Sequence, residues 1–214
     1  MCGDIGFKLG KIPKKKLKSI IINQSCLSFC YNKSMILVIL ILFLIFALTV
    51  LFWQLNLLYV AILGTPIVYA SDLAIVDAFK LAKLKKADLV VDLGCGNGKS
   101  LIIAAKKFGA KGVGVDLSLY CYLKARLNVA IAGQSRNIKI VWGDFKKAEP
   151  YLKKADVVYI YLLNSVLKKI EPWFFKSISK NTKVVSLSFV FPNHTPIKIT
   201  KTLNLNRKTS VRLY

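Results

Sequence analysis

The 214-residue sequence predicts an α/β protein, a doubly wound and mainly parallel sheet preceded by one membrane-crossing helix. Three observations predict it. From residue 71 onward, short apolar runs of strand length alternate with helical periodicities, the pattern of a parallel sheet covered by helices on both faces. A glycine-rich turn, Gly94-Cys95-Gly96-Asn97-Gly98, follows the first of those runs. Residues 35–63 form 29 consecutive positions without a charged side chain, where about 20 apolar residues suffice to cross a bilayer as a helix.

The elements follow in order. Residues 1–34 are a basic segment in which Lys8, Lys11, Lys14, Lys15, Lys16, Lys18 and Lys33 stand against one acid, Asp4, and residues 19–31 are apolar enough for a membrane interface. The span 35–63 is strongly polar only at Gln54 and Asn56, and Trp53 and Tyr59 sit near its C-terminal end, where interfacial aromatics belong. A core helix would show a polar face, and a cleaved signal peptide has a shorter apolar stretch. The span therefore reads as a single-pass anchor. Gly64-Thr65-Pro66 breaks the helix and sets a boundary, leaving 64–214 as the α/β domain. Leu73, Val76, Phe79 and Leu81 predict a helix over 71–83, capped by Ser71 or Asp72. Strand one is expected at 88–93, then a helix at 100–108, strand two at 112–115, a helix at 119–132 and strand three at 138–142. Strand four is expected at 157–162, followed by a helical stretch ending near Ser179 and strand five at 184–190. The alternating tail from Lys198 to Leu213 predicts an antiparallel closing pair.

Composition narrows the partners. The net charge of +23, from 33 Lys+Arg against 10 Asp+Glu, favours anionic surfaces. Only four of the basic residues are Arg, the side chain suited to bidentate reading of bases and phosphates, so the charge points to a lipid bilayer ahead of nucleic acid. Five cysteines without a CxxC pair argue against a zinc site and a disulfide framework, and for a reducing compartment. No metal is expected.

The chemistry concentrates around the glycine turn. Gly94, Gly96 and Gly98 let the backbone turn sharply and approach a ligand without a Cβ in the way. A dinucleotide site uses G-x-G-x-x-G, whose helix N-terminus grips a pyrophosphate. Here the third glycine comes one residue early and Lys99 stands in the place of the expected one. Asp92 ends strand one and suits an ammonium better than a phosphate. Asp116, 18 residues after Gly98, ends strand two, where a carboxylate can accept hydrogen bonds from both ribose hydroxyls. Asp144 follows strand three, placed to accept from an adenine amino group, with Phe145 or Trp142 offering an apolar face. Any one of these acids alone would be an ordinary turn carboxylate. Three at the ends of three consecutive strands point to S-adenosylmethionine (SAM).

The run Asp92-Leu93-Gly94-Cys95-Gly96-Asn97-Gly98, with Asp116 and Asp144, resembles the seven-stranded, Rossmann-like (class I) SAM-dependent methyltransferases. Further residues carry a narrower resemblance: Thr65-Pro66 and Tyr69 after the anchor, the run from Lys111 to Leu117, Tyr161-Leu162-Leu163-Asn164, Val184-Val185-Ser186 and Arg212-Leu213-Tyr214. Together they are similar to the small membrane-anchored methyltransferases related to the ATP synthase c subunit lysine N-methyltransferase and its prokaryotic relatives, over about residues 60–214. The resemblance implies SAM as donor and, for eukaryotic members, a protein lysine as acceptor. It implies that Asp92, Gly94, Gly96 and Gly98 hold the methionine moiety around a buried and inert Cys95. By the same resemblance Asp116 with Leu117 holds the ribose, Asp144 with Phe145 holds the adenine, and Tyr69 and Ser71 close over the cofactor. The segment Pro66-Ile67-Val68-Tyr69-Ala70-Ser71 is poorer in proline than in close relatives.

Acceptor-side groups are expected after strand four, where Tyr161 and Asn164 could orient an amine; Tyr159 and Tyr161 fit a core equally well. The signature Asn/Asp-Pro-Pro-Tyr/Phe, associated with nucleobase or glutamine acceptors, is missing. His194, the sole histidine, reads as a solvated loop residue. The expected activity is methylation of a protein lysine on a membrane-associated substrate. The alternatives are an RNA, lipid or other small-molecule methyltransferase, and a SAM-binding membrane protein without catalysis. Because SAM is made inside cells, the domain is expected to face the cytosol or the mitochondrial matrix. Lysines on both sides of the anchor, including Lys80, Lys83, Lys85 and Lys86, leave the positive-inside balance tied unless translation starts at Met35.

Overall fold

The computed structural model describes residues 14–62 and 69–214, with side chains described at 33–58 and 69–214. The expected break at Gly64-Thr65-Pro66, the start of the basic segment and the side chains of Cys2, Cys26, Cys30 and Tyr59 lie outside the described residues. The chain divides into two compact units, residues 1–54 and 55–214.

Helix α1 (Lys14–Ile62) begins well ahead of the apolar run, because Lys, Ser and Asn weaken a helix only slightly and nothing between Lys14 and Met35 forbids it. Its stretch Lys33–Leu58 is long and apolar enough to cross a membrane, with 26 residues and no burial. At 1.5 Å per residue this is about 39 Å, against about 30 Å of hydrocarbon in a bilayer. Thr49 returns its hydroxyl to the carbonyls of Ile45 and Phe46 at 2.8 and 2.7 Å, so even this polar group is satisfied within the helix.

The second unit holds α2 (Asp72–Leu81), β1 (Leu89–Leu93), α3 (Lys99–Phe108), β2 (Lys111–Asp116), α4 (Leu119–Ile131) and β3 (Ile138–Trp142). After a 3-10 turn (Phe145–Ala148) come α5 (Glu149–Leu152), β4 (Val157–Ile160), α6 (Asn164–Ser177), β5 (Lys183–Leu187), β6 (Lys198–Asn204) and β7 (Arg207–Leu213). The seven strands form one sheet in the order β3-β2-β1-β4-β5-β7-β6. The first five are parallel; β7 runs antiparallel to β5, and β6 antiparallel to β7. The order reverses between β1 and β4, so a crevice opens there beyond the carboxyl ends of the strands.

Successive strand residues point to opposite faces and feed two cores. Val90, Tyr159 and Val185 pack with Phe79 and Leu101 on one side, and Val91, Val158 and Val184 with Phe174 and Phe191 on the other. Gly112 and Gly114 thin β2 on the first face. A Cβ on Gly114 would sit 2.7 Å from Cys95 Sγ, so the glycine turn can close onto β2 only because that position lacks a side chain.

The differences from expectation are local. Strand four ends at Ile160 instead of Leu162, because its ladders to β1 and β5 stop at Leu93 and Ser186 and Leu162 turns under Gly94. Strand five ends at Leu187, since Ser188 takes a left-handed φ of 67° and leaves the ladder. The 3-10 turn and α5 have no periodicity to announce them. The closing pair is joined at Leu205-Asn206, both with positive φ (50° and 64°), as a tight hairpin turn requires.

Candidate functional site

A narrow cleft of about 40 Å³ lies at the β1/β4 switch point, lined by Tyr69, Asp92, Gly94, Cys95, Gly96 and Tyr161 among the expected residues. Ala70, Ile75, Asn97, Lys99, Ser100 and Tyr159 complete its wall.

Its floor is a folded loop. Gly94 and Cys95 both donate their N–H to the Val115 carbonyl, at 2.8 and 3.2 Å, and Gly98 closes the turn onto the Cys95 carbonyl at 2.9 Å. Gly94, Gly96 and Gly98 have φ of 76°, 55° and 76°. At Gly96 a Cβ would meet nothing within 4 Å. Its glycine is therefore needed for the left-handed backbone and for the open space above it, not for packing.

Two carboxylates frame this loop. Asp116 accepts the Gly96 N–H at 2.8 Å on Oδ2 and the Ser118 N–H at 2.9 Å on Oδ1, tying the end of β2 to the turn after β1. Burial raises its pKa, and those two N–H groups pull it partly back. Asp92 is 3% exposed and accepts a short hydrogen bond from the Ser100 hydroxyl. Burial pushes its pKa up to about 7, opposed by the Ser100 bond and reinforced by the nearby Asp116 charge. A carboxylate in this position gains by meeting a cation. Burial likewise raises the Cys95 thiol well above its ordinary value, with Asp92 adding to the effect, which leaves it un-ionised.

The roof comes from the segment before α2. Ser71 caps α2 by accepting from Ala74 N and donates to the Leu203 carbonyl on β6 at 2.9 Å. Its own N–H goes to Asn204 Oδ1 at 2.7 Å. The Asn204 amide reaches in turn to the Tyr161 hydroxyl at 2.9 Å. Lys99, at the first position of α3, donates to the Ala70 carbonyl at 3.2 Å and pairs with Asp72. The roof is thus fastened to β6 on one side and to the glycine loop on the other.

Not every expected residue lines the cleft. Gly98 caps α3, and the Leu117 carbonyl accepts the Trp142 indole N–H at 3.0 Å. Asp144 is exposed and caps the 3-10 turn by accepting from Lys146 N at 3.0 Å, with Phe145 half-buried beside it. Asn164 is also exposed, and its carboxamide oxygen accepts from Val190 N at 3.1 Å, a bond that holds the β5–β6 connection. His194 stacks on Phe175 (3.5 Å between ring centres) and hydrogen-bonds Glu171 at 2.7 Å, so it is not the freely solvated residue that its loop suggests. Sequence reasoning misses Lys99, Ser100 and Asn204 as members of the site, and leaves Tyr159 undecided between the core and the acceptor side. Ser100 and Lys99 could be found as the first helical turn after the glycines; Asn204 could not, because only the tertiary fold brings β6 to Ser71.

Comparison with known proteins fits this geometry. A family model described as the ANTKMT methyltransferase domain matches residues 92–198. The chain is 31% identical over 150 residues to a protein-lysine N-methyltransferase of Saccharolobus islandicus, covering 70% of this chain and 92% of that protein. It is 27% identical over 135 residues to the human lysine N-methyltransferase of the ATP synthase c subunit, and the match spans 63% of this chain and 56% of that one. Among solved structures it is similar to an RNA methyltransferase from Salinibacter ruber in complex with S-adenosyl-L-homocysteine. That match has 32% identity and a TM-score of 0.60, and covers 65% of this chain and 88% of that one.

Proposed function

The chain belongs to the ANTKMT methyltransferase-domain family, and from that premise we propose that it transfers a methyl group from SAM to a lysine of a membrane-associated protein. The carrying observation is the β1/β4 cleft, where a buried Asp92 acceptor, the open cradle over Gly96 and the unpartnered Tyr159 hydroxyl converge. These features fit a ligand that joins an amino acid to a nucleoside. SAM, when bound, supplies a methyl group already activated on a sulfonium.

The chain's own residues then bind and orient. Asp92 accepts from the ligand's α-ammonium. Asp116, whose two oxygens already organise the turn, has lone pairs left for ribose hydroxyls. Asp144 and Phe145, beyond β3, serve the adenine. Tyr161 takes the acceptor side: its oxygen accepts from Asn204 and retains a lone pair and a proton with which to align an incoming amine. Asn164 acts more remotely, by fixing the β5–β6 connection through Val190. An amine must present its lone pair to the methyl carbon, and the apolar faces of Tyr69 and Tyr161 at the mouth lower its proton affinity by desolvation.

In this reading residues 1–34 are a basic segment, 35–63 the membrane span and 64–214 the methyltransferase domain, facing the compartment that holds SAM. The span confines the search to membrane-bound targets and raises their effective concentration. The relative from Salinibacter supports a second reading, an RNA acceptor. Incubation of the full chain with tritiated-methyl SAM and fractionated membranes separates the two. Label recovered as methyl-lysine in membrane protein is expected; label in RNA favours the second reading, and no transfer overturns both.

A further inference from the structure

The Tyr159 hydroxyl is the only buried side-chain polar atom among the described residues without a hydrogen-bond partner. The residue is 3% exposed, yet it lines the cleft. A buried hydroxyl with no partner forfeits about 1–3 kcal/mol, so a position that keeps one calls for an explanation. Packing alone does not supply it. The ring sits against Phe79 (5.6 Å between centres) in an apolar layer that a phenylalanine would fill equally well.

Placement identifies the missing partner. Tyr159 on β4 is the register partner of Asp92 on β1. Register partners on parallel strands project side by side to the same face, about 4.8 Å apart along the sheet. One presents an acceptor and the other an O–H donor, since burial and the neighbouring Asp92 charge keep the phenol un-ionised. An α-amino acid carries a donor and an acceptor, ammonium and carboxylate, on one carbon, and so matches this pair.

Building on the SAM reading above, we infer that the Tyr159 hydroxyl donates a hydrogen bond to the α-carboxylate of the bound methionyl group while its neighbour Asp92 accepts from the α-ammonium. Tyr159 is then a cofactor-binding residue that reads the zwitterionic end of the ligand, and the empty hydroxyl is its preformed half.

The test is calorimetric binding to the full chain in detergent micelles, wild type against Tyr159→Phe. Three ligands are compared: SAM, decarboxylated SAM, which keeps the amine but lacks the carboxylate, and methylthioadenosine, which lacks the whole amino-acid end. Wild type should prefer SAM to decarboxylated SAM by about tenfold or more, the scale of a hydrogen bond to a charged group. Y159F should lose that preference, bind the other two ligands within about twofold of wild type, and unfold at the same or a higher temperature when ligand-free. A wild type that does not distinguish the two amines, or a Y159F that weakens all three ligands alike or melts markedly lower, overturns the inference and leaves the SAM reading standing. A wild type that binds none of the three overturns the SAM reading itself.

Discussion

Asp92 ties protonation to ligand binding. Its ordinary pKa of 3.8 is pushed to about 7 by burial, so the folded chain holds a proton that the unfolded chain releases. Stability from this group is complete below about pH 4 and declines as pH rises to about 7, the sign expected for an acid whose folded pKa is raised. Ligand affinity runs the other way. SAM binding should tighten several-fold from pH 5.5 to 7.5 as the carboxylate charges, while methylthioadenosine binding stays flat; equal slopes for both would remove Asp92 from the ammonium. At Asp116, one oxygen holds the Gly96 N–H of the glycine turn and the other the Ser118 N–H just after β2. Asp116→Ala should therefore reduce SAM affinity more than tenfold with an unchanged circular-dichroism spectrum, and unaltered affinity would exclude it from the site. Neither shift is legible in the sequence. The motif places both acids beside the loop, but only burial and the Ser100 contact distinguish their electrostatics.

At the scale of elements, the loop between β1 and α3 separates structural from ligand-facing glycines. A Cβ at Gly94 would lie 2.9 Å from Leu162, whereas one at Gly96 would meet nothing. Gly96→Ala should cost about 1–2 kcal/mol for its left-handed backbone, leave the chain folded, and abolish most SAM binding; thermal melts and calorimetry on the same sample report both. Gly94→Ala should melt lower than Gly96→Ala, since it adds a clash to the same backbone strain. On the other side of the sheet, Glu171 of α6 is 1% exposed and accepts from Asn193 N, Asn193 Nδ2 and His194. Burial works to raise its pKa, but these bonds outweigh it and hold the carboxyl below its ordinary 4.5. Its contribution is therefore present above pH 4.5 and lost as pH falls through the lower folded value. Glu171→Gln should flatten the acid limb of the stability profile, read by urea melts between pH 3 and 6. The helical periodicity announces α3 and α4 because each buries one face, and the parallel strands stand out as short unbroken apolar runs because they are buried on both faces. Both signals miss the 3-10 turn and α5, whose backbone is set by the Asp144 cap and by contacts made elsewhere.

For the whole molecule, the apolar stretch Lys33–Leu58 and the excess of lysines bear on where the chemistry happens. The full chain should remain with membranes after high-salt and alkaline washing. Deleting residues 1–63 should spare SAM binding but lower lysine methylation of membrane proteins by tenfold or more, the scale that shared confinement to a surface provides. Equal activity of the two forms on native membranes would dissociate the span from substrate choice. By itself, the sequence determined the alternation of strands and helices, the cofactor class and the presence of a membrane-length helix. Each of these is written in local periodicity, in the spacing of glycines and acids, or in an unbroken apolar run. Only the tertiary structure decided that Asn204 on the last hairpin fastens Ser71 and Tyr161, that Asn164 supports a loop instead of lining the cleft, and that Tyr159, the register partner of Asp92, keeps its hydroxyl unpartnered. The physical reason is the same in all three. A side chain's partner from a distant part of the chain depends on strand order, register and helix placement, and none of these is encoded within the few residues that surround it.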